Sequence, residues 1–140
     1  MPANPSLVLG SASPRRAHLL QQLGLPFTQL VSTTPEPSPK PGDTPSAHVL
    51  HSACSKAQAV HHQLSTQLPA DASPLNQLVI GADTIVCLEN AILGKPRDSQ
   101  DACAILQRLS GRTHHVYTGI ALYAHDGRQW HDYVATTVHM

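Results

Sequence analysis

Leu7-Val-Leu-Gly-Ser-Ala-Ser-Pro-Arg-Arg16 is the stretch on which the reading of this chain turns. Leu7 to Gly10 is a short apolar run bounded by turn residues, the pattern of a buried strand. Ser13 is a favoured helix N-cap. Pro14 suits the first helical position, because it lacks an N–H that would be orphaned there anyway. The free N–H groups of such a helix start carry partial positive charge and attract anions. Arg15 and Arg16 add planar, permanently charged donors that match phosphate oxygens. Strand end, helix start and guanidinium pair in one short loop predict a site for a phosphorylated small molecule.

Outward from this loop, a helix is expected from about Pro14 to Leu23. Its apolar stripe would be Leu19, Leu20 and Leu23, with Gly24 as its stop and Pro26 just beyond. Phe27 to Val31 reads as a second strand. Thr33 to Pro45 holds prolines at 35, 37, 39, 41 and 45, which block ladder pairing and helix entry, so an exposed extended linker is expected. A second helix starts near Pro45 with Thr44 as cap, and Leu50, Ala53, Cys54, Ala57 and Val60 fall at helical spacing. Leu64 to Gln77 is polar and turn-rich, and reads as a loop. Leu78 to Leu88 is β-prone and broken by Gly81-Ala-Asp-Thr84. Glu89-Asn90 turns the chain back through Ala91 to Leu93. Asp98 or Ser99 caps a third helix with Ala102, Ile105, Leu106 and Leu109 as its buried stripe. Thr113 to Tyr123 and Gln129 to Val138 read as strands joined by an Asp126-Gly127 hairpin. Helices alternate with strands first and hairpins follow, which predicts an α/β or α+β domain on a mixed sheet.

The bulk properties narrow the function. The 140 residues suit one domain, and aromatics at 4% leave the core to Leu, Val, Ile and Ala. Acidic and basic residues balance at nine each, so any anion site must be local rather than a property of the whole surface. There is no basic stripe and little to stack on bases, which disfavours nucleic acid. Cys54, Cys87 and Cys103 are odd in number and widely spaced, so buried free thiols are expected rather than a zinc ribbon or a disulfide framework. No stretch approaches the ~20 apolar residues of a membrane span. No signal peptide is visible either, and a cytoplasmic setting follows as the expectation. Most of the ten histidines are expected in surface or packing roles.

Taken singly, the polar candidates are weak. Asp83 reads as a strand-end residue closing a turn, or as a carboxylate that needs a metal or lysine partner beside Ile80, Ile85 and Val86. Lys56 reads as a solvated lysine, Glu36 as a loop acid and Arg112 as a charge beside a helix stop. Gly94-Lys95 lacks the spacing of a P-loop.

Taken together, the motifs are specific. Ser11-Ala-Ser-Pro-Arg-Arg16, Lys56-Ala57, Gly81-Ala-Asp-Thr84, Leu93-Gly-Lys-Pro96 and Leu109-Ser-Gly-Arg-Thr-His114, followed by Val116-Tyr-Thr-Gly119, occur in order. In this the chain resembles the Maf family of nucleoside triphosphate pyrophosphatases, from Leu7 to about Val138. The resemblance implies an α/β fold like that of the inosine triphosphatases, a mixed sheet flanked by helices, with the substrate cleft between two lobes. It implies one Maf-like domain over 1–140 that corresponds to the N-terminal two-thirds of the family's length. The family's C-terminal third, a Gly-rich stretch and closing strands, would be missing, which leaves an open sheet edge and exposed apolar surface.

The resemblance also implies an activity: hydrolysis of a nucleoside triphosphate to the monophosphate and pyrophosphate, linked to clearing modified nucleotides and to arrest of cell division. It gives Asp83 the catalytic role. Arg15 and Thr84 would select the base. Ser11, Ser13, Arg16, Lys56 and Lys95 would bind phosphate. Glu36 and Asp83 would face a divalent cation, Mg²⁺ or Mn²⁺. Arg15 and Thr84 match the branch that acts on dTTP and UTP, where a sister branch acting on 7-methyl-GTP carries an aromatic and a glutamine. The expected partner is a nucleoside triphosphate, with neither nucleic acid nor membrane, and a homodimer is compatible with the resemblance. The alternatives are a catalytically impaired nucleotide-binding or division-regulating fragment, and a pyrophosphatase for purine-analogue triphosphates.

Overall fold

A computed structural model describes residues 6–32, 42–67 and 77–140. Most of the proline-rich segment, Glu36 included, lies outside the described residues. The elements run β1 (Ser6–Leu9), α1 (Pro14–Gln22), β2 (Phe27–Gln29), α2 (Pro45–Gln67), β3 (Gln77–Leu88), β4 (Ala91–Leu93), α3 (Ser99–Leu109), β5 (Thr113–Ala124) and β6 (Gln129–His139). Their order in the sheet is β2-β1-β3-β5-β6, with β4 also paired to β3. β1 lies parallel to both β2 and β3, and the remaining pairs are antiparallel. The mixed sheet is therefore observed. None of the helices is long and apolar enough to cross a membrane, among the described residues.

The ladder has a notch. β5 pairs along one edge of β3 from Leu78 to Cys87. On the other edge β1 pairs only as far as Ile80, and β4 begins only at Val86. Residues 81–85 of the central strand thus have no strand beside them on that edge, among the described residues. The notch opens beside the loop that follows β1, and Gly10 N–H closes the last rung by donating to Ile80 O at 2.8 Å.

Helix α2 crosses the sheet at close range. Thr44 caps it, its hydroxyl accepting from Ala47 N at 3.2 Å. Ala53, Ala57 and Val60 are fully buried and form the core with Val8, Val79 and Ala121. Three glycines make the approach possible. A Cβ on Gly81 would lie 2.4 Å from Ala53 O, one on Gly119 would lie 2.5 Å from Val49 O, and one on Gly10 would lie 2.9 Å from Val60 Cγ2. Gly81 is thus the seat of a helix, not a break. β3 runs through Gly81-Ala-Asp-Thr84 uninterrupted, and Asp83 is a mid-strand residue rather than a strand-end one.

Other expectations also shift. α1 buries none of its residues, and Leu19 and Leu23 are 53% and 70% exposed. Apolar spacing predicts a face, not a partner for it, and α1 is held by its N-terminal loop instead. In α3 only Leu109 of the four stripe residues is buried. α2 continues to Gln67, beyond the expected loop start at Leu64, with Leu64 packed against the core. Cys87 is buried and Cys54 half-buried, but Cys103 is exposed. β6 pairs only with β5 among the described strands, and Trp130 and Val134 on it are 47% and 65% exposed. The two hairpin turns form as expected: Glu89 and Asn90 both take positive φ, as does Gly127.

His61, on α2, packs against Tyr123 with ring centroids 4.7 Å apart and the rings tilted by 48°. Burial, followed by the charges of His125 and His62, holds its pKa below the ordinary histidine value. The fold therefore favours the neutral ring, and the unfolded chain binds more protons below about pH 6.5. Stability is expected to hold above that pH and to fall as pH drops through the folded-state value. Denaturant melts at about pH 7.5 and about pH 5.5 check this, and His61→Phe should flatten the difference.

Candidate functional site

The site is assembled around the notch. Ser13 caps α1, its hydroxyl accepting from Arg16 N at 3.4 Å. Ser11 Oγ accepts from Ser13 N at 3.2 Å and from Arg16 Nη1 at 3.0 Å, so the two serines fold the loop that presents the arginine. Each oxygen is occupied as an acceptor, while each hydroxyl keeps a hydrogen to donate. Arg16 then reaches across to β3. Its Nη1 donates to Ala82 O at 3.3 Å and its Nη2 to Thr84 Oγ1 at 2.9 Å. Lys56 descends from α2 to the same place, donating to Ala82 O and to Asp83 Oδ1, both at 3.3 Å. Two cations thus bond a central-strand carbonyl where a neighbouring strand is lacking.

Asp83 is buried, its carboxylate paired with Lys56, with side-chain exposures of 12% for Asp83 and 16% for Lys56. The surface reading of Lys56 is therefore overturned: the helix that seats on Gly81 carries its ammonium inward. Thr84 is more exposed and shares a hydrogen bond with Thr118 Oγ1 across the β3–β5 rung at 3.2 Å. Ser11, Ser13, Arg16, Lys56, Asp83, Thr84 and Lys95 line one polar cavity of about 450 Å³, together with Gly10, Ala12, Val31 and Ser32. A second cavity of about 460 Å³ adjoins it, lined mainly by apolar residues of β3, β4 and α3.

Of the residues singled out in the sequence, the fold brings Ser11, Ser13 and Arg16 together with Lys56, Asp83, Thr84 and Lys95. Arg15 is exposed on α1 and lines neither cavity. Adjacent helical residues point about 100° apart, so the two arginines cannot share one direction. Glu36 is outside the described residues. Arg112 lies on the surface 3.7 Å from Glu89, away from the site. Thr118 and the buried His48 were not foreseen. His48, Ser52 and Lys56 lie at i, i+4 and i+8, which puts them on one helix face, and that spacing was there to be read.

The donor set suits an anion with a cation shared between protein and ligand. No cluster of three or more His, Cys, Asp or Glu able to hold a metal occurs among the described residues. Among the described residues the polar cavity instead offers one carboxylate and three cationic side chains. Mg²⁺ is commonly held by one or two carboxylates with substrate phosphates completing its shell, and Asp83 fits that pattern.

Arg16→Lys is expected to lower kcat/KM for a polyphosphate substrate by about 10–100-fold, because an ammonium cannot span Ser11, Ala82 and Thr84 at once. Steady-state kinetics of the variant checks this, and an unchanged value assigns Arg16 no part in the site.

Residues 6–140 match the family model described as Maf-like protein. A dTTP/UTP pyrophosphatase of Desulfitobacterium hafniense is 46% identical over 132 residues, which cover 94% of this chain and 57% of that protein. A dTTP/UTP pyrophosphatase of Pseudoalteromonas atlantica is 43% identical over 120 residues, covering 86% of this chain and 59% of its own length. The chain spans a little over half the length of these curated relatives. Among solved structures, a HAM1 protein from Coxiella burnetii aligns with a TM-score of 0.59 at 15% identity, covering 96% of this chain and 72% of the other. A nucleoside-triphosphatase, dITP/XTP pyrophosphatase, from Mycobacterium abscessus aligns with a TM-score of 0.55 at 14% identity, covering 96% of this chain and 73% of the other. These two share the fold.

Proposed function

The chain belongs to the Maf-like protein family, and from that premise we propose that it hydrolyses dTTP and UTP to the monophosphate and pyrophosphate. The observation that carries the reading is the convergence of Arg16, Lys56 and Lys95 with the carboxylate of Asp83 in one cavity. Relatives 43–46% identical to this chain over the aligned residues are dTTP/UTP pyrophosphatases, which favours pyrimidine nucleotides over purine analogues.

In this reading water adds to phosphorus, the phosphoanhydride bond breaks and pyrophosphate leaves. Asp83 orients the water and takes its proton. Arg16, Lys56 and Lys95 bind the phosphate oxygens and offset the charge that builds on them. Arg16 also fixes Thr84, so its guanidinium ties phosphate binding to the position of that hydroxyl. A divalent cation, Mg²⁺ or Mn²⁺, would be held by Asp83, with Glu36 as a second carboxylate, and would supply charge neutralisation and an activated water. We place the activity in the cytoplasm, where three widely spaced thiols remain reduced.

The test is release of monophosphate and pyrophosphate from dTTP and UTP with Mg²⁺ or Mn²⁺, beside a panel of purine and purine-analogue triphosphates. Turnover of the two pyrimidine substrates in preference to the panel supports the reading. Saturable binding without turnover replaces it with a nucleotide-binding role, and preference for a purine analogue replaces the substrate.

A further inference from the structure

Strand β6 is an edge of the sheet, and nothing in its sequence blunts that edge. Among the described strands it pairs with β5 alone. It runs eleven residues without proline, lysine or glycine. Its register against β5 is unbroken from Gln129 to His139, so no bulge turns it aside. Edge strands of soluble proteins commonly carry such devices, because a bare row of N–H and C=O groups is a template for another strand.

The pairing with β5 settles which groups are bare. Ala124 N donates to Arg128 O at 2.9 Å at one end of the hairpin, and Met140 N donates to Arg112 O at 3.1 Å at the other. Bonded pairs alternate along an antiparallel ladder. The even-numbered residues of β6 therefore bond β5, and the odd-numbered ones turn their backbone outward. One outward group is answered locally, Tyr133 N donating to Asp132 Oδ1 at 2.8 Å. Trp130, Val134 and Val138 share one face of the strand, beside Ile120 and Leu122 of β5. Trp130, Val134 and Ile120 are all exposed.

We propose that β6 pairs antiparallel with β6 of a second copy of this chain, across a two-fold axis at Val134. An eleven-residue edge is matched by a strand of like length whose own edge is open. Among the described strands β6 itself meets that need, since β2, at the opposite edge of the sheet, and β4 have three residues each. With Val134 on the axis, every residue of each strand is paired, from Gln129 against the partner's His139 inward. Trp130 meets the partner's Val138, and Val134 meets its counterpart. Because these residues already bond β5, they form the non-hydrogen-bonded pairs of the new ladder, where facing side chains come closest. Asp132 falls opposite the partner's Thr136, so no like charges are opposed. Moving the axis to Asp132 would set two carboxylates face to face, and moving it to Ala135 would carry Trp130 past the end of the partner strand. An isologous pairing of this kind closes as a dimer. Asp132 works against it, because the Tyr133 N–H that it holds is one of the outward donors. The inference concerns the sheet edge and stands apart from the activity proposed above.

Sedimentation equilibrium of the whole chain, with residue-resolved hydrogen exchange, tests the pairing. The expected result is a reversible dimer in which the amides of Ala135 and Thr137 slow as concentration rises. Val134→Lys sets two ammonium groups against each other on the axis and should weaken the dimer about tenfold. Ala135→Pro removes an outward N–H, spares every bond to β5, and should abolish the dimer. Asp132→Ala frees the Tyr133 N–H and should tighten the dimer about threefold, which mere damage to the hairpin would not do. Urea melts show whether the variants remain folded; if Ala135→Pro does not, Val134→Lys at an exposed position decides. A monomer at every concentration, or a dimer indifferent to both Val134→Lys and Ala135→Pro, overturns the proposal. So does a monomer whose Ala135 and Thr137 amides are already slow, because the edge is then covered from within the chain. Assemblies larger than the dimer overturn the two-fold pairing as well.

Discussion

Asp83→Asn is expected to lower kcat for dTTP and UTP by roughly 10²–10⁴-fold, the usual contribution of a positioned general base. The substitution keeps the shape of the side chain and an oxygen within reach of Lys56. It removes the negative charge, and with it the capacity to take a proton from water or to hold a cation. Asp83 is well placed for the role because its backbone is paired to Gly119 in the middle of the long β3–β5 ladder. Its carboxylate cannot swing away without breaking the 3.3 Å contact to Lys56. Removing one charge of a largely buried pair also destabilises the fold, by several kcal/mol where the partner is left bare. A melting curve and a dTMP titration must therefore accompany the kinetics. Full loss of turnover with dTMP binding retained assigns Asp83 to the chemical step. Turnover equal to wild type would take Asp83 out of the mechanism.

The second large effect is on folding. Gly81→Ala is expected to cost about 3 kcal/mol or more, a large share of the 5–15 kcal/mol by which domains are usually stable. The added carbon would sit 2.4 Å from Ala53 O and 2.7 Å from Ala57 N, both backbone atoms of a helix that cannot yield locally. Gly119→Ala meets Val49 O and Val49 C at 2.5 and 2.8 Å and should cost a similar amount. Gly10→Ala meets the side-chain tip of Val60 at 2.9 Å and should be milder. Gly94→Ala, with nothing within 4 Å, is the control expected to be silent. Urea midpoints rank the four variants. If Gly81→Ala unfolds at the wild-type midpoint, α2 does not rest on the sheet as described. Because Lys56 precedes Ala57 on this helix, a folded remnant of Gly81→Ala should also lose the contact to Asp83.

How far the sequence foretold this molecule depends on which forces act locally. The loop from Gly10 to Arg16 was legible because capping and proline chemistry are decided within a few residues. The hairpins at Glu89-Asn90 and Asp126-Gly127 were legible for the same reason. Gly81 was misread because a glycine inside a strand can mark a break or a close approach, and only the position of α2 distinguishes them. The stripe of α3 was misread as buried because burial is a property of two surfaces and a sequence displays one. Within the site, the residues carried by ordered motifs were found, and of the described candidates all but Arg15 line the polar cavity. His48 escaped because a lone histidine on an apolar helix face looks like packing until the cavity beneath it is seen.

The notch in β3 has a consequence for motion. Enzymes commonly mount reactive groups on loops and then stiffen them on binding. Here a mid-strand segment is left unpaired on one edge by the shortness of β1 and β4, so the carboxylate proposed to react lines the cavity from a backbone held in the central strand. The amides of Gly81, Asp83 and Ile85, turned toward β5, should accordingly be among the last in the molecule to exchange with deuterated solvent. The α3 segment that walls the apolar cavity should exchange early. Any adaptation to the shape of an incoming nucleotide would then come from the wall, against an anvil that does not give.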